Sequence, residues 1–284
     1  MPCLGAHMSV AGGLHLAFDH LRKVHGEALQ VFTRNQRQWR AAPITAAEAK
    51  AFRAAWQEAG RPPVASHTSY LINLASPKPE MAAKSVQALT DELTRCGTLG
   101  IPYVIMHPGA HLGAGVAAGI ALVAKNLDAA LAAAAKAKKV AVLLENTAGQ
   151  GTALGASFAE LAGIIAASRH PACLGVCFDT CHAFAAGHDL RTPATYQATF
   201  AEFERLIGLN RLKFFHLNDA IKGLGSRVDR HTHIGQGQIG LEGFRLLLND
   251  PRFSDHPMVL ETPKDEDLTE DIENLRVLRG LLRH

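Results

Sequence analysis

Six short apolar runs in this 284-residue chain each end in a side chain that can bind a metal ion. They are Pro63–His67, Tyr103–His107, Val140–Glu145, Leu174–Asp179, Leu212–His216 and Pro257–Glu261. Three further donors lie just past such runs: His182 in Asp179-Thr-Cys-His182, and Asp229 and His231, an Asp-x-His pair within 225–231. Taken singly, each has an ordinary structural explanation. His67 suits a hydrogen-bonded turn, and Glu145 could hold an arginine. Taken together, four carboxylates brought to one place without cations would repel one another and shift their protonation severely. Divalent metals remove that conflict. Imidazole and carboxylate donors without thiolates suit Zn²⁺, with Mn²⁺ or Fe²⁺ acceptable at an Asp/His site. One zinc takes roughly three or four protein ligands, so nine donors with one bridging carboxylate serve three metals. Paired divalent ions suit phosphoester cleavage, where attacking and leaving oxygens both need charge stabilisation.

The elements that must position these donors follow from the same runs. A strand buried on both faces reads as a near-continuous apolar stretch. The terminal donors are spaced by about 34 to 45 residues, enough for a strand, a helix and two loops per unit. Leu4–Met8 and Leu29–Thr33 bring the strands to eight. Helices are expected over Thr45–Ala59, which opens on a capping-box pattern, and over Pro79–Leu99, Val116–Lys138 and Ser157–Ala167. Thr192–Ile207, Gly240–Leu248 and Leu268–Leu282 complete the alternation. The Ala-rich stretch Ala129–Ala137 reads as helix, not as a disordered repeat. The pattern predicts a single-domain (β/α)₈ TIM barrel spanning 1–284, with an open doubly wound sheet as the alternative. Barrel enzymes carry their chemistry at the C-terminal ends of the strands, where the six terminal donors fall.

Composition narrows the class. Hydrophobic residues make up 48% and charged residues 19%, ordinary for a globular domain. A net charge of +3 does not by itself imply nucleic-acid binding, although bound cations would add to it. No run of about 18 apolar residues is present, and the first residues lack a secretory pattern, so no membrane span and a cytoplasmic location are expected. Five cysteines, an odd number, do not form a disulfide framework. Cys173, Cys177 and Cys181 are not spaced as a structural zinc site. Cys173 and Cys177 are expected to share one strand face as small buried hydrophobes.

Longer motifs carry a resemblance. Gly5–Gly13, Phe32–Trp39, Ser69–Leu74, His107-Pro-Gly-Ala-His111, Glu145–Gly151, Asp179–Gly187, His216-Leu-Asn-Asp219, Gly225–His231 and Leu260–Thr262 resemble, in this order, the endonuclease IV family. These are the zinc-dependent apurinic/apyrimidinic endonucleases of base-excision repair. The resemblance implies a (β/α)₈ barrel with three zinc ions that cuts duplex DNA 5′ to an abasic site, leaving a 3′-hydroxyl and a 5′-deoxyribose phosphate. It implies that His67, His107 and Glu145 hold one zinc, and that Glu145 bridges to a second held by Asp179, His216 and Glu261. His182, Asp229 and His231 would hold the third, where Mn²⁺ is also possible. Glu145 and Glu261 would serve catalysis.

By the same resemblance, Arg37, Tyr70 and Leu71 enter the DNA base stack and stabilise the flipped-out abasic nucleotide. Read without it, Tyr70 and Leu71 would be core residues after a strand. The pattern does not use His7 or His111 as ligands, and His7 reads as a core residue or a support for the ligands. Thr68 stands where relatives often carry an acidic residue, which bears on the hydrogen bonding of His67. A monomer is expected. The competing readings are a sugar isomerase or epimerase of the xylose-isomerase-like barrel and a non-catalytic DNA-damage-binding barrel. To the first the His182, Asp229, His231 set is surplus; the second would be expected to lose ligands.

Overall fold

The computed structural model describes residues 1–134, 137 and 139–283. Eight parallel strands close into a barrel: β1 (Cys3–Met8), β2 (Ala28–Val31), β3 (Val64–His67), β4 (Tyr103–Met106), β5 (Ala141–Glu145), β6 (Leu174–Asp179), β7 (Leu212–His216) and, after a small antiparallel pair, β10 (Pro257–Leu260). Closure is direct, because β1 pairs with β2 on one side and with β10 on the other. The open-sheet alternative is thereby excluded. The small pair, β8 (Asp219–Ala220) and β9 (His231–Thr232), sits after β7.

Around the barrel run α1 (Ala17–Lys23), α2 (Ala46–Glu58), α3 (Pro79–Leu99), α4 (Val116–Ala133), α5 (Phe158–Ala167), α6 (Thr180–Ala186), α7 (Pro193–Leu206), α8 (Gly240–Leu248) and α9 (Thr269–Gly280). The expected capping box opens α2, with Thr45 and Glu48 bonding reciprocally, and Ser157 caps α5. Three helices end earlier than expected or were not foreseen. α4 stops at Ala133, and residues 135, 136 and 138 of the expected helix lie outside the described residues. α1 and α6 are each only 7 residues long, too short to show a periodic apolar stripe in sequence.

By length and composition, α4 could cross a bilayer, against the expectation that nothing here would. Two of its polar residues are spent inside the fold, and Lys125 is exposed. Asn126 donates to Leu74 O at 2.8 Å, and Asp128 accepts from the Ser168 hydroxyl at 2.6 Å and the Arg169 amide. Cys173 is another correction: it sits half-buried in a 3₁₀ turn, Pro171–Cys173, and so does not share a strand face with the buried Cys177. Pro171 opens that turn, and β6 starts only at Leu174.

Strand parity places the chemistry. The barrel interior is packed by Ala28, Ala65, Ile105, Leu143, Cys177, Phe214 and Val259, one from each of seven strands. Side chains two residues apart on a strand share a face. Two positions beyond these residues stand Gln30, His67, His107, Glu145, Asp179, His216 and Glu261. A polar layer therefore lies directly on the apolar plug, at the C-terminal mouth. Two local devices protect the parity. A bulge where β7 meets β6 pairs Val176 with Leu212 but Cys177 with Phe214, leaving Lys213 as the extra residue and turning Phe214 and His216 inward. In β1, a Cβ on Gly5 would lie 1.7 Å from Ala28 O, so only glycine lets β1 and β2 approach.

Candidate metal centre

Six strands deliver six of the nine donors, and two short elements deliver the rest. Asp179 ends β6 and caps α6, its Oδ1 accepting from the His182 amide at 2.7 Å. His182 therefore stands on the first turn of a helix and points back over the mouth. His231 is carried by β9, and Asp229 lies in the loop leading into it.

The nine donors fall into three groups, within each of which the donor atoms lie no more than 4.8 Å apart. His67, His107 and Glu145 form one, Glu145, Asp179, His216 and Glu261 the second, and His182, Asp229 and His231 the third. Glu145 joins the first two through different oxygens. Its Oε2 is 3.0 Å from His67 Nε2 and 3.2 Å from His107 Nε2, and its Oε1 is 3.1 Å from His216 Nδ1. His216 Nδ1 is also 3.2 Å from Glu261 Oε2. In the third group, Asp229 faces His182 Nε2 and His231 Nε2, each at 3.3 Å. A fourth combination, Asp179 with Cys181 and His231, shares two residues with these groups. Burial pushes the Cys181 thiol far up, so it offers no ready thiolate.

Four of the five histidines turn their other ring nitrogen onto a fixed oxygen. His67 Nδ1 donates to Thr68 O at 2.8 Å, His182 Nδ1 to Asn146 O at 3.0 Å and His231 Nδ1 to Glu261 O at 3.4 Å. His216 Nε2 donates to Gln30 Oε1 at 2.7 Å. Such bonds select the tautomer that leaves the cluster-facing nitrogen with a free lone pair. The acceptor for His67 is a backbone carbonyl, so the threonine side chain at position 68 does not alter that bond.

Of these supports, Gln30 lies outside every motif quoted above. Gln30 also donates to Glu261 Oε1 at 2.5 Å and to His7 Nδ1 at 2.9 Å. Asn218 donates to Asp179 Oδ2 at 2.7 Å and holds the Glu261 amide. The signal available for Gln30 was its parity, two positions after the inward Ala28. His7 does support the site, and His111 accepts from the Gly115 amide at 3.1 Å, beside the start of α4.

The electrostatics call for cations. Burial alone would raise the Glu261 carboxyl, but His216, with His67 and His7, more than reverses this and holds it at about 2. Glu145 is likewise held well below the ordinary carboxylate range, against its burial, by His216 and His107. Burial lowers His216, and Cys177, Glu261 and Glu145 beside it drive it well above its ordinary value. The cluster thus keeps its carboxylates ionised and attracts positive charge, which divalent ions supply. Its imidazole and carboxylate donors, with the ring tautomers already set, fit zinc.

The centre opens to solvent at His107 and Asp229, onto a cavity of about 350 Å³ that Tyr70 and Asn73 also line. Tyr70 is 64% exposed, at odds with ordinary core packing, and its ring centroid lies 5.8 Å from those of His67 and Phe32. Leu71 is half-buried, and Arg37 projects from the loop after β2.

The loop from β9 to α8, which follows His231, depends on one further acid. Asp219 is fully buried, with no ion-pair partner among the described residues, and accepts from the amides of Ala220, Gly235, Gly237, Ile239 and Gly240. Asp219→Asn places an amide N–H₂ against these donors. It should cost roughly 3 kcal/mol of stability in urea unfolding, because buried donors left unpaired are expensive. A change below about 0.5 kcal/mol, the usual scatter for surface substitutions, would remove Asp219 as the hub of this loop.

The fold and site define an enzyme of the xylose isomerase-like TIM-barrel class, whose family matches residues 18–280. The Probable endonuclease 4 of Chloroflexus aurantiacus is 54% identical over 283 residues, covering 100% of this chain and 99% of that protein. That of Geobacter sulfurreducens is 52% identical, covering 99% of this chain and 94% of that protein. The solved endonuclease IV from Thermus thermophilus superposes with a TM-score of 0.88 at 39% identity, covering 99% and 98% of the two chains. The chain belongs to the endonuclease IV family and is a deoxyribonuclease of that kind. A D-tagatose 3-epimerase-like protein superposes with a TM-score of 0.75 at 18% identity, which shows a shared fold only.

Proposed function

We propose that this enzyme hydrolyses the phosphodiester bond 5′ to an abasic site in duplex DNA, leaving a 3′-hydroxyl and a 5′-deoxyribose phosphate. His67, His107 and Glu145 would hold one zinc, Glu145, Asp179, His216 and Glu261 a second, and His182, Asp229 and His231 a third, with Mn²⁺ an alternative there. The observation that carries this reading is the junction at Glu145, whose two carboxylate oxygens serve two donor groups. Bound there, the ions would supply Lewis-acid stabilisation of the charge that develops on the phosphate and the leaving oxygen.

The chain's own groups do the rest. Glu261 keeps Oε1 fixed by Gln30 and Oε2 toward His216, a posture suited to orienting an attacking water or accepting its proton at Oε2. Arg37, Tyr70 and Leu71 would recognise the lesion. A wedge kinks the duplex most cheaply where a base is already missing. The exposure of Tyr70 beside the ligand histidines supports that role. The enzyme would act as a monomer in the cytoplasm, where its free cysteines stay reduced.

A duplex with one abasic site tests the reaction. The nick should fall 5′ to the lesion and leave an end that a DNA polymerase extends; an end that cannot be extended would overturn the assignment. In the same assay, changing Arg37, Tyr70 and Leu71 together to Ala should leave zinc content intact and sharply reduce the preference for abasic over intact duplex. Non-specific binding should change by about one phosphate contact at most, through Arg37. A fluorescent base opposite the lesion reports unstacking directly. If both the preference and that signal were unchanged, these residues would merely pack the rim.

A further inference from the structure

The loop between β2 and α2 carries Arg37 and contains no helix or strand, yet its backbone carbonyls are bonded one after another by side chains from outside the loop and from within it. Arg95, on α3, is buried and spreads its guanidinium over the loop. Its Nε donates to the Thr33 hydroxyl at 2.9 Å, its Nη2 to Thr33 O and its Nη1 to Ala42 O at 2.6 Å. Glu92, one turn earlier on the same helix and equally buried, accepts from the Thr33 hydroxyl at 2.7 Å and from the Ser66 hydroxyl at 2.5 Å. Ser66 immediately precedes the donor His67. Arg34 bridges Gln38 O and Trp39 O while pairing with Asp91 of α3 at 2.8 Å. Ser69 donates to Gln36 O at 2.5 Å, tying this loop to the one that carries Tyr70 and Leu71.

None of Thr33, Glu92 and Arg95 can reach a ligand at the mouth, because all three are buried behind the loop. A structureless loop of this length is ordinarily mobile, and its backbone groups would be left to water. Here both ends of the Arg37 segment are clamped, at Thr33 and at Ala42, by one guanidinium whose planar fork matches acceptors that a lysine cannot meet together. We propose that Arg95, with Glu92 and Thr33, is a positioning residue for Arg37. The clamp pre-sets the loop so that Arg37 is presented in register with Tyr70 and Leu71, and it thereby sets discrimination for abasic DNA without touching DNA. The clamp also joins the lesion-reading loop to β3, through Glu92 and Ser66, so one buried cluster aligns recognition with the metal centre. This inference rests on the role given to Arg37 above.

Two variants test it, each keeping the surface charge that draws DNA. Arg95→Lys retains the positive charge and loses the fork. Thr33→Val is nearly isosteric and removes the hydroxyl shared by Glu92 and Arg95. Each is measured as the purified full-length zinc-loaded enzyme, well below its melting temperature, for binding to abasic and intact duplex and alone for amide exchange over residues 33–42. The expected result is a fall of about tenfold in the abasic-to-intact ratio, in line with the cost of small misplacements of a positioned group. Intact-duplex binding and metal content should hold, and exchange in the loop should be faster. Combined with Arg37→Ala, either variant should add no further loss, because it acts through Arg37.

A loss that adds in full to that of Arg37→Ala would overturn the positioning role. So would a lowered melting temperature with an unchanged ratio, which is what a purely structural cluster gives. Should one variant not fold, the other decides. If Arg37→Ala alone leaves the ratio unchanged, it is the reading of Arg37 that fails, and the accelerated exchange still reports whether the clamp orders the loop.

Discussion

Glu261→Gln should reduce cleavage of an abasic duplex by about a hundredfold to ten-thousandfold, the range usual for a group that moves or orients a proton in the transition state. The substitution keeps the shape and one acceptor oxygen. It removes the charge that His216 holds at Oε2, and it places an amide where Gln30 now donates to a carboxylate. The new amide keeps its oxygen toward Gln30 only by turning its N–H₂ toward His216. Abasic-DNA binding should stay within about tenfold, because phosphate contacts and the wedge carry most of it. Single-turnover nicking beside equilibrium binding separates the two effects. Near-normal turnover would take Glu261 out of the chemistry. Glu145→Gln makes the informative contrast. Glu145 faces His67 and His107 with one oxygen and His216 and His182 with the other, so its loss should lower metal content as well as rate.

Stripping the metals should be the other large effect. We expect three divalent ions per chain, mostly zinc, by elemental analysis. Brief EDTA should remove free ions only and spare activity. Prolonged exposure to a zinc chelator should abolish it. Added Zn²⁺ should restore it and Mg²⁺ should not, since histidine-rich sites suit the harder ion poorly. Stability should fall with activity. Removing ligands that bind only the folded state withdraws roughly 4 kcal/mol for a site held at a thousandfold its dissociation constant. The buried carboxylate of Glu145 would then lean on histidines alone. Active enzyme with one metal or none would sink the three-metal assignment, and an unchanged melting temperature after stripping would show that the ions contribute nothing to the fold.

The expectation that a barrel would gather the donors at one mouth rested on the apolar runs and their spacing, which belong to the chain alone, and the structure adds that the donors share one parity. Each of the six runs is mainly apolar before its last residue, and each terminal donor sits two positions after a residue that packs the barrel interior, from Ala65 and His67 to Val259 and Glu261. A strand alternates its faces whatever its neighbours do, so the chain alone determined that these donors share a side and an end. Helix starts were readable where the signal is also local, as at Thr45 and Ser157. The nine donor positions themselves were legible before any fold was known, and the motif resemblance had already proposed the three groupings.

What tertiary structure decided was everything that depends on which strands and loops become neighbours. Only the closed order of the strands brings Glu145 within reach of His67, His107 and His216 together. The bulge at Lys213 that points His216 inward follows from pairing with β6, and the run Leu212–His216 does not announce it. α6 is too short to read as a helix until Asp179 is seen capping it. Gln30 and His216 lie 186 positions apart, and Arg95 and Thr33 lie 62 apart. A glutamine in an apolar run, or an arginine on an outer helix, carries no local mark of its partner. Sequence period is set by the backbone of one segment, whereas a hydrogen bond that fixes a tautomer or clamps a loop exists only once chain closure has set two distant segments side by side.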